Sequence, residues 1–335
     1  MEVTTVETVD VFDSPDNAAS FYVYIVLSAL GLIGNAFVCL VMLRYRNVFN
    51  STTNRLIFHQ SAVDFLGSCM FILQKSLKTS PPDNAIGTLY CTMWWSEWYQ
   101  WACFVASTYN LLAISMERYL ATCHPIRHRN MLTRRRLNLI MATAWICGVA
   151  LEFHLVLNVF QRDGACHDLW PSPVVQAVTG VVIFLFEIFL PLVAIIFAYT
   201  KIILELRRRS KVRINNSSSN NNPSNIFSKA NKNITKTLIV VAIFFTCCWT
   251  PGGFTYLFYN FGWHGYSFGS FLDQVTGAAV VANLCVNPII YCFTYDRFRT
   301  QARKMFRDEC RRCNNQVDNS NDSRTARTGM VQTIA

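Results

Sequence analysis

The chain is short of charge. Only 15% of its 335 residues are Asp, Glu, Lys or Arg and 52% are hydrophobic, whereas a soluble domain carries about a quarter charged residues. The apolar residues gather into runs close to the roughly 20 needed to cross a bilayer. A soluble enzyme or binding domain is thereby excluded. The runs also lack the period-two alternation of barrel strands, so helices are expected. No internal repeat at a fixed period is visible, which counts against a transporter built from duplicated halves. No cleavable leader is expected, because the first run is long enough to span and has its basic flank on the C-terminal side. Nor does a nucleophile–base pair or metal cluster suggest catalysis.

What is present is seven candidate spans: Tyr22–Leu43, Leu56–Leu77, Thr92–Cys123, Leu137–Phe160, Val174–Leu206, Thr237–Trp263 and Phe271–Thr294. Residues 1–20 hold five acids and no Lys or Arg, whereas the loops after spans one, three and five are rich in Arg. Cytosolic loops carry such an excess. The N-terminus is therefore expected outside and the C-terminus inside, in a multi-pass plasma-membrane protein. The net charge of +10 is largely this asymmetry, so nucleic acid is not the expected partner. The expected organisation is an external segment 1–20, a helix domain 21–295 with a mobile polar loop over 207–235, an amphipathic helix 296–309, and a cytosolic tail 310–335.

Most of the thirteen cysteines lie inside spans, where Cys behaves as a small hydrophobe. Cys91, at the outer start of span three, and Cys166, in the next outer loop, face the oxidising side. A bridge between them would pin that loop over the bundle. Cys310 and Cys313 follow a basic amphipathic stretch. They read as half a zinc site without its second pair or, better, as palmitoylation sites beside a membrane-parallel helix.

Individual residues now fall into order. Span one has Gly34–Asn35 and span two Asp64. Span three ends in Glu117-Arg118-Tyr119, with Pro125 shortly after, and span four has Trp145. Span five has Pro191 and Tyr199, span six Cys248-Trp249-Thr250-Pro251, and span seven Asn287-Pro288-Ile289-Ile290-Tyr291. One motif per span, in order, resembles the rhodopsin-like G-protein-coupled receptors over roughly residues 20–310. The resemblance implies an all-α seven-helix bundle with a short eighth helix. It also implies a heterotrimeric G protein, arrestin and a receptor kinase as partners, with membrane lipid around the bundle.

The same resemblance assigns roles. Arg118 is held by Glu117 at rest and freed when span six, hinged at Pro251 and pushed through Trp249, swings out. Tyr199 and Tyr291 then close around it, and Asn287 and Pro288 belong to the same switch. Position 231, where many relatives keep a second acid for this Arg, is Asn231. Asp64, Ser107, Asn283 and Asn287 are the family's sodium-ion set, with a hydrated network and no ion as the alternative.

The ligand is narrowed by what is missing. Phe271–Thr294 has no Lys and Val281 stands where opsins hold retinal, so no covalent retinal is expected. Gln100 stands where amine receptors carry an Asp. Glu97, Glu152, Glu187 and Asp273, on four spans, would suit a basic peptide or a cationic small molecule, with Trp249 beneath them. Trp94, Trp95, Trp98, Tyr99 and Trp101 supply either cation–π contacts or an interfacial belt. Glu152 has a structural alternative, a bond to His154 or a neighbouring helix. A non-peptide receptor of the same family, or a seven-helix decoy or transporter, are the rival readings. Finally, Cys91 precedes Arg118 by 27 residues, about two more than the family spacing. Two residues turn a helix by about 200°, so a bulge or an unwound first turn is expected above Ser107.

Overall fold

Backbone polar groups that meet only lipid must bond within their own segment. The computed structural model describes residues 15–77, 79–215, 223–263, 265–267 and 269–311, and builds them mainly from long helices. Helix α1 (Pro15–Arg44) and α2 (Thr52–Ser76) are followed by a short α3 (Ala85–Tyr90), which runs through a π-helical turn (Cys91–Trp95) towards α4 (Trp98–Cys123). A short α5 (Pro125–Met131) leads to α6 (Arg134–Leu157), and a hairpin of β1 (Val159–Arg162) and β2 (Ala165–Asp168) follows. Helix α7 (Pro173–Ile183) continues through a second π-helical stretch (Phe184–Phe189) into α8 (Leu190–Asn215). Helices α9 (Pro223–Asn260), α10 (Phe271–Thr294) and α11 (296–311) complete the order.

Each of the seven expected spans is helical over most of its length, although the third breaks at Ser96–Glu97, the fourth stops at Leu157 before Val159–Phe160 join β1, and the sixth stops at Asn260; the architecture is an all-α bundle. Ser51, Thr133, Ser172 and Ser270 cap α2, α6, α7 and α10 through their side chains, each satisfying an amide that the first turn leaves open. Much of the expected mobile loop over 207–235 is helix among the described residues. Helix runs on to Asn215 and resumes at Pro223. Arg, Lys, Leu and Ile sustain helix well enough to carry α8 beyond its apolar part. Residues 1–14 and 216–222 lie outside the described residues, as does most of the expected tail.

Among the described residues six helices are long and apolar enough to cross a membrane on composition alone. Helix α4 is the seventh and falls short because it is the polar centre of the bundle. It packs against α2, α6 and α8 and touches α9. Its Gln100, Ser107, Thr108, Asn110 and Ser115 are all buried, facing other helices rather than lipid. Two close approaches need glycine. A Cβ on Gly148 of α6 would strike the backbone carbonyl of Ala102 on α4, and one on Gly34 of α1 would lie 2.9 Å from Pro288 of α10. Asn35 fastens the second contact, donating to the carbonyl of Leu284 at 2.7 Å. Helix α11 folds back on α1, with Phe37 against both Phe298 and Phe306.

Candidate functional site

The chain between Cys91 and Gln100 resolves the surplus of two residues. Ser96 bonds back five residues to the carbonyl of Cys91 at 3.1 Å, a π-type turn that takes up an extra residue. Glu97 then adopts φ 57°, a left-handed conformation uncommon for a residue with a side chain, and α4 starts afresh at Trp98. The break turns Glu97 towards α2. Its carboxylate pairs with Lys75 at 3.0 Å and accepts from Gln74 at 3.3 Å, while Gln74 receives the Tyr99 hydroxyl at 3.1 Å. Glu97 is thus neutralised from within the chain. The neighbouring aromatics pack on one another, Trp94 on Tyr99 and Trp101 on Phe104.

Cys91 is disulfide-bonded to Cys166. The bridge holds the hairpin, whose two-residue turn is Asp163-Gly164, with φ values of 52° and 74°. That pair of left-handed residues makes the hairpin turn whose twist matches the strands. Asp83 receives the Gly164 amide at 2.7 Å and ties the turn to the α2–α3 loop. Asp273 is a local anchor. It receives the Tyr266 hydroxyl at 2.5 Å and the Gly269 amide at 2.9 Å.

Of the four acids named from the sequence, two remain for other work. Glu152 of α6 and Glu187 of the π-helical stretch before α8 are 4% and 5% exposed, and their carboxyl groups lie close enough to perturb each other. His154 is not the partner of Glu152. It bonds to the carbonyl of Leu151 at 2.8 Å and meets the Tyr256 hydroxyl at 3.4 Å. Two buried carboxylates stay this close only with a proton or another cation between them. One oxygen of Glu187 and one of Gln100 are buried without a partner among the described residues.

Below these acids Trp249 is buried between Phe104 and Phe245, with ring centroids 6.1 and 5.9 Å away. Pro251 and Pro288 interrupt the hydrogen-bond ladders of α9 and α10. Asp64 is fully buried. It receives the Ser107 hydroxyl at 2.7 Å, the Asn287 amide at 2.8 Å, and the Gln60 amide at 3.2 and 3.3 Å on its two oxygens. Asn283, one turn before Asn287, is buried as well. The residue missed in the sequence is Gln60. An amide four residues before Asp64 lies on the same helix face, and that was the available signal.

At the other end of α4, Glu117 and Arg118 are 2% and 7% exposed. The guanidinium holds the carboxylate through two bonds, Nε at 2.6 Å and Nη2 at 2.7 Å. The same carboxylate receives the hydroxyls of Thr52 at 2.8 Å and Thr53 at 3.0 Å. His128 of α5 reaches it at 2.7 Å. A cavity of about 310 Å³ beside this cluster is walled by apolar groups including Leu56, Leu112, Met116 and Leu120, with Glu117 in its lining. Tyr119 turns away, its hydroxyl meeting His124 at 3.1 Å. Tyr199 and Tyr291 are buried nearby in the bundle core, and the Tyr291 hydroxyl has no partner among the described residues. At the residue that caps the end of α10, burial pushes the Tyr295 phenol up to about 12. It is therefore a dependable donor to Asn54, at 2.7 Å. Asn231 lies on α9 with its side chain outside the described residues. Cys310 is exposed on α11, and Cys313 lies outside the described residues.

The family model described as "7 transmembrane receptor (rhodopsin family)" matches residues 34–291. Galanin receptor type 1 of Rattus norvegicus is 26% identical over 306 residues, 89% of this chain and 84% of its own. Galanin receptor type 2 of the same species is 28% identical over 284 residues, 82% of this chain and 72% of its own. Neuromedin-U receptor 2 of Mus musculus is 28% identical over 314 residues, 88% and 76% of the two chains.

Proposed function

Because the chain belongs to the rhodopsin family of seven-transmembrane receptors, which are receptors and not enzymes, we propose that it binds a basic peptide outside the cell and activates a heterotrimeric G protein within. The disulfide end of the bundle faces outward and the Arg118 end faces the cytosol, in keeping with the acidic N-terminus and the Arg-rich alternate loops. The observation that carries the reading is the closed pair of Glu117 and Arg118. A nearly buried guanidinium, bonded twice to the carboxylate next to it in sequence, is a resting latch. Tyr291 is buried in the core of the bundle, its hydroxyl without a partner among the described residues. Two packings that differ by a few kcal/mol are what a switch requires.

The ligand class rests on two supports. The relatives above are named for the peptides galanin and neuromedin U. Glu152 and Glu187, close together and without a basic partner among the described residues, would accept a cationic group in place of a shared proton. Glu97 and Asp273 then shape the mouth rather than receive the ligand, since Lys75 and Tyr266 already hold them. A library of basic peptides and amines, applied to cells that carry the chain with a promiscuous G protein, tests the proposal. Nucleotide exchange in response to a basic peptide is expected. No exchange from any ligand, combined with none from a receptor whose latch has been broken by mutation, ends the signalling reading.

A further inference from the structure

The sodium-ion set that the family resemblance assigned to the middle of the bundle is where the structure departs from expectation. A hard cation needs lone pairs converging on it from oxygen atoms. Around Asp64 the structure aims hydrogens instead. We propose that the side-chain amide of Gln60 permanently fills the role of that ion, so that the site excludes sodium and the receptor is indifferent to it.

The orientation of the Gln60 amide is fixed by its neighbours. Asn110 donates through Nδ2 to the backbone carbonyl of Leu56 at 3.1 Å, and a carbonyl can only accept. The same Nδ2 meets Gln60 at 2.7 Å, so the Gln60 atom there is the acceptor Oε1. Its Nε2 must then face Asp64 and Ser107, and it contacts both. The rest of the chain of bonds agrees. Asn110 Oδ1 accepts from His59 Nδ1 at 2.9 Å, which leaves His59 Nε2 to accept the indole N–H of Trp145 at 3.1 Å. An indole can only donate. Five side chains thus pass hydrogen bonds in one direction from Trp145 on α6 to Asp64 on α2. Flipping the Gln60 amide would set a carbonyl against a carboxylate and an amino group against an amino group.

Gln60 is 1% exposed and Asp64 fully buried. An incoming ion would therefore have to expel the amide and break the whole chain of bonds. Such a network, with its polar members mutually satisfied, holds one packing firmly. It also joins α2 to α4 through Ser107 and Asn110, and to α10 through Asn287, the three helices that an ion would otherwise link.

The test reads the ion alone and needs no agonist, so its outcome is separate from that of the receptor reading. Purified full-length protein in detergent is unfolded thermally in about 150 mM sodium, potassium or choline chloride, followed by tryptophan fluorescence. Wild type is expected to melt at the same temperature in all three salts. Gln60→Leu removes the donors and is expected to gain a sodium-specific rise of about 2 °C or more, which the added Asp64→Asn abolishes. If Gln60→Leu does not fold, Gln60→Met, which keeps the length without the donors, is read in its place. A sodium-specific rise in wild type overturns the proposal. So does an unresponsive wild type whose Gln60 variant is equally unresponsive, because the amide would then not be what excludes the ion.

Discussion

Glu117→Gln is the most direct perturbation of the latch. The substitution keeps the size of the side chain and removes its charge. Arg118 then loses two charge-assisted bonds of 2.6 and 2.7 Å while 7% exposed. Stripping a buried charge of its partner costs about 3–5 kcal/mol. The remaining amide oxygen of Gln still accepts one neutral bond, so about 2–3 kcal/mol is the fair range for the resting state. Moving a two-state equilibrium from 1:99 to 1:1 takes about 2.7 kcal/mol. A receptor that is about 1% active without ligand, within the usual range for a minor state, should therefore become roughly half active. The assay is ligand-free nucleotide exchange on purified G protein, at matched amounts of folded receptor. The expected rise is at least about tenfold, which corresponds to 1.4 kcal/mol. Glu117→Asp, which retains the charge, should stay much nearer wild type. Basal exchange of Glu117→Gln within about twofold of wild type would refute the latch, since the structure shows no second acid on Arg118 among the described residues.

Thr53→Val removes one hydroxyl from Glu117 but leaves the pair with Arg118 intact, so about 1.5–3 kcal/mol of stability should be lost with little change in basal exchange; thermal unfolding and exchange assays together check this. Glu187→Gln should weaken a basic ligand by about tenfold or more, the value of one charge-assisted contact, and leave a neutral ligand almost unaffected in competition binding. Cys91→Ser opens a loop of 75 residues, for which the chain-entropy relation gives about 4.5 kcal/mol, and melting should fall accordingly with the outer hairpin released. Gly148→Leu would drive α6 away from the Ala102 carbonyl, at a cost of about 1–3 kcal/mol or more, read as a loss of folded receptor at the cell surface.

The spans, the Glu117–Arg118 pair and the bridge could be read directly because each rests on a local rule. A run of about 20 apolar residues must be helical in lipid. Cys91 and Cys166 were legible from the sidedness of their loops. Glu117 beside Arg118 was legible because neighbours in sequence need no fold to bring them together. The surplus above Ser107 was legible as a number of residues, though not as the combination of a π turn and a left-handed Glu97 that absorbs it. The hairpin was announced by Asp163-Gly164, a turn pair that stands out only once the flanking four-residue runs are recognised as strands. Asp64 was visible as a lone carboxylate at depth, but which of several polar neighbours would meet it was not, the one signal for Gln60 being its place four residues earlier on the same helix face.

That last difference shows where sequence reading stops in a helical membrane protein. A buried carboxylate announces that something must neutralise or solvate it, yet several helix faces can supply the group. The choice depends on the rotation of each helix to within a fraction of a turn, and Glu97 makes the point by contrast. The left-handed residue at the head of α4 turns it to Lys75, and an acid that reads as a ligand contact becomes a strut between α2 and α4. Glu152 and Glu187 show the converse, because two acids 35 positions apart are both buried with no basic partner among the described residues, which is why the proposed ligand contact is placed on them. The same rule decides all three cases: a carboxylate held wholly or partly away from water takes the donor or cation that the fold brings nearest. Where that partner is built into the chain the residue becomes structure, and where none is built in the residue is the one to test against a ligand.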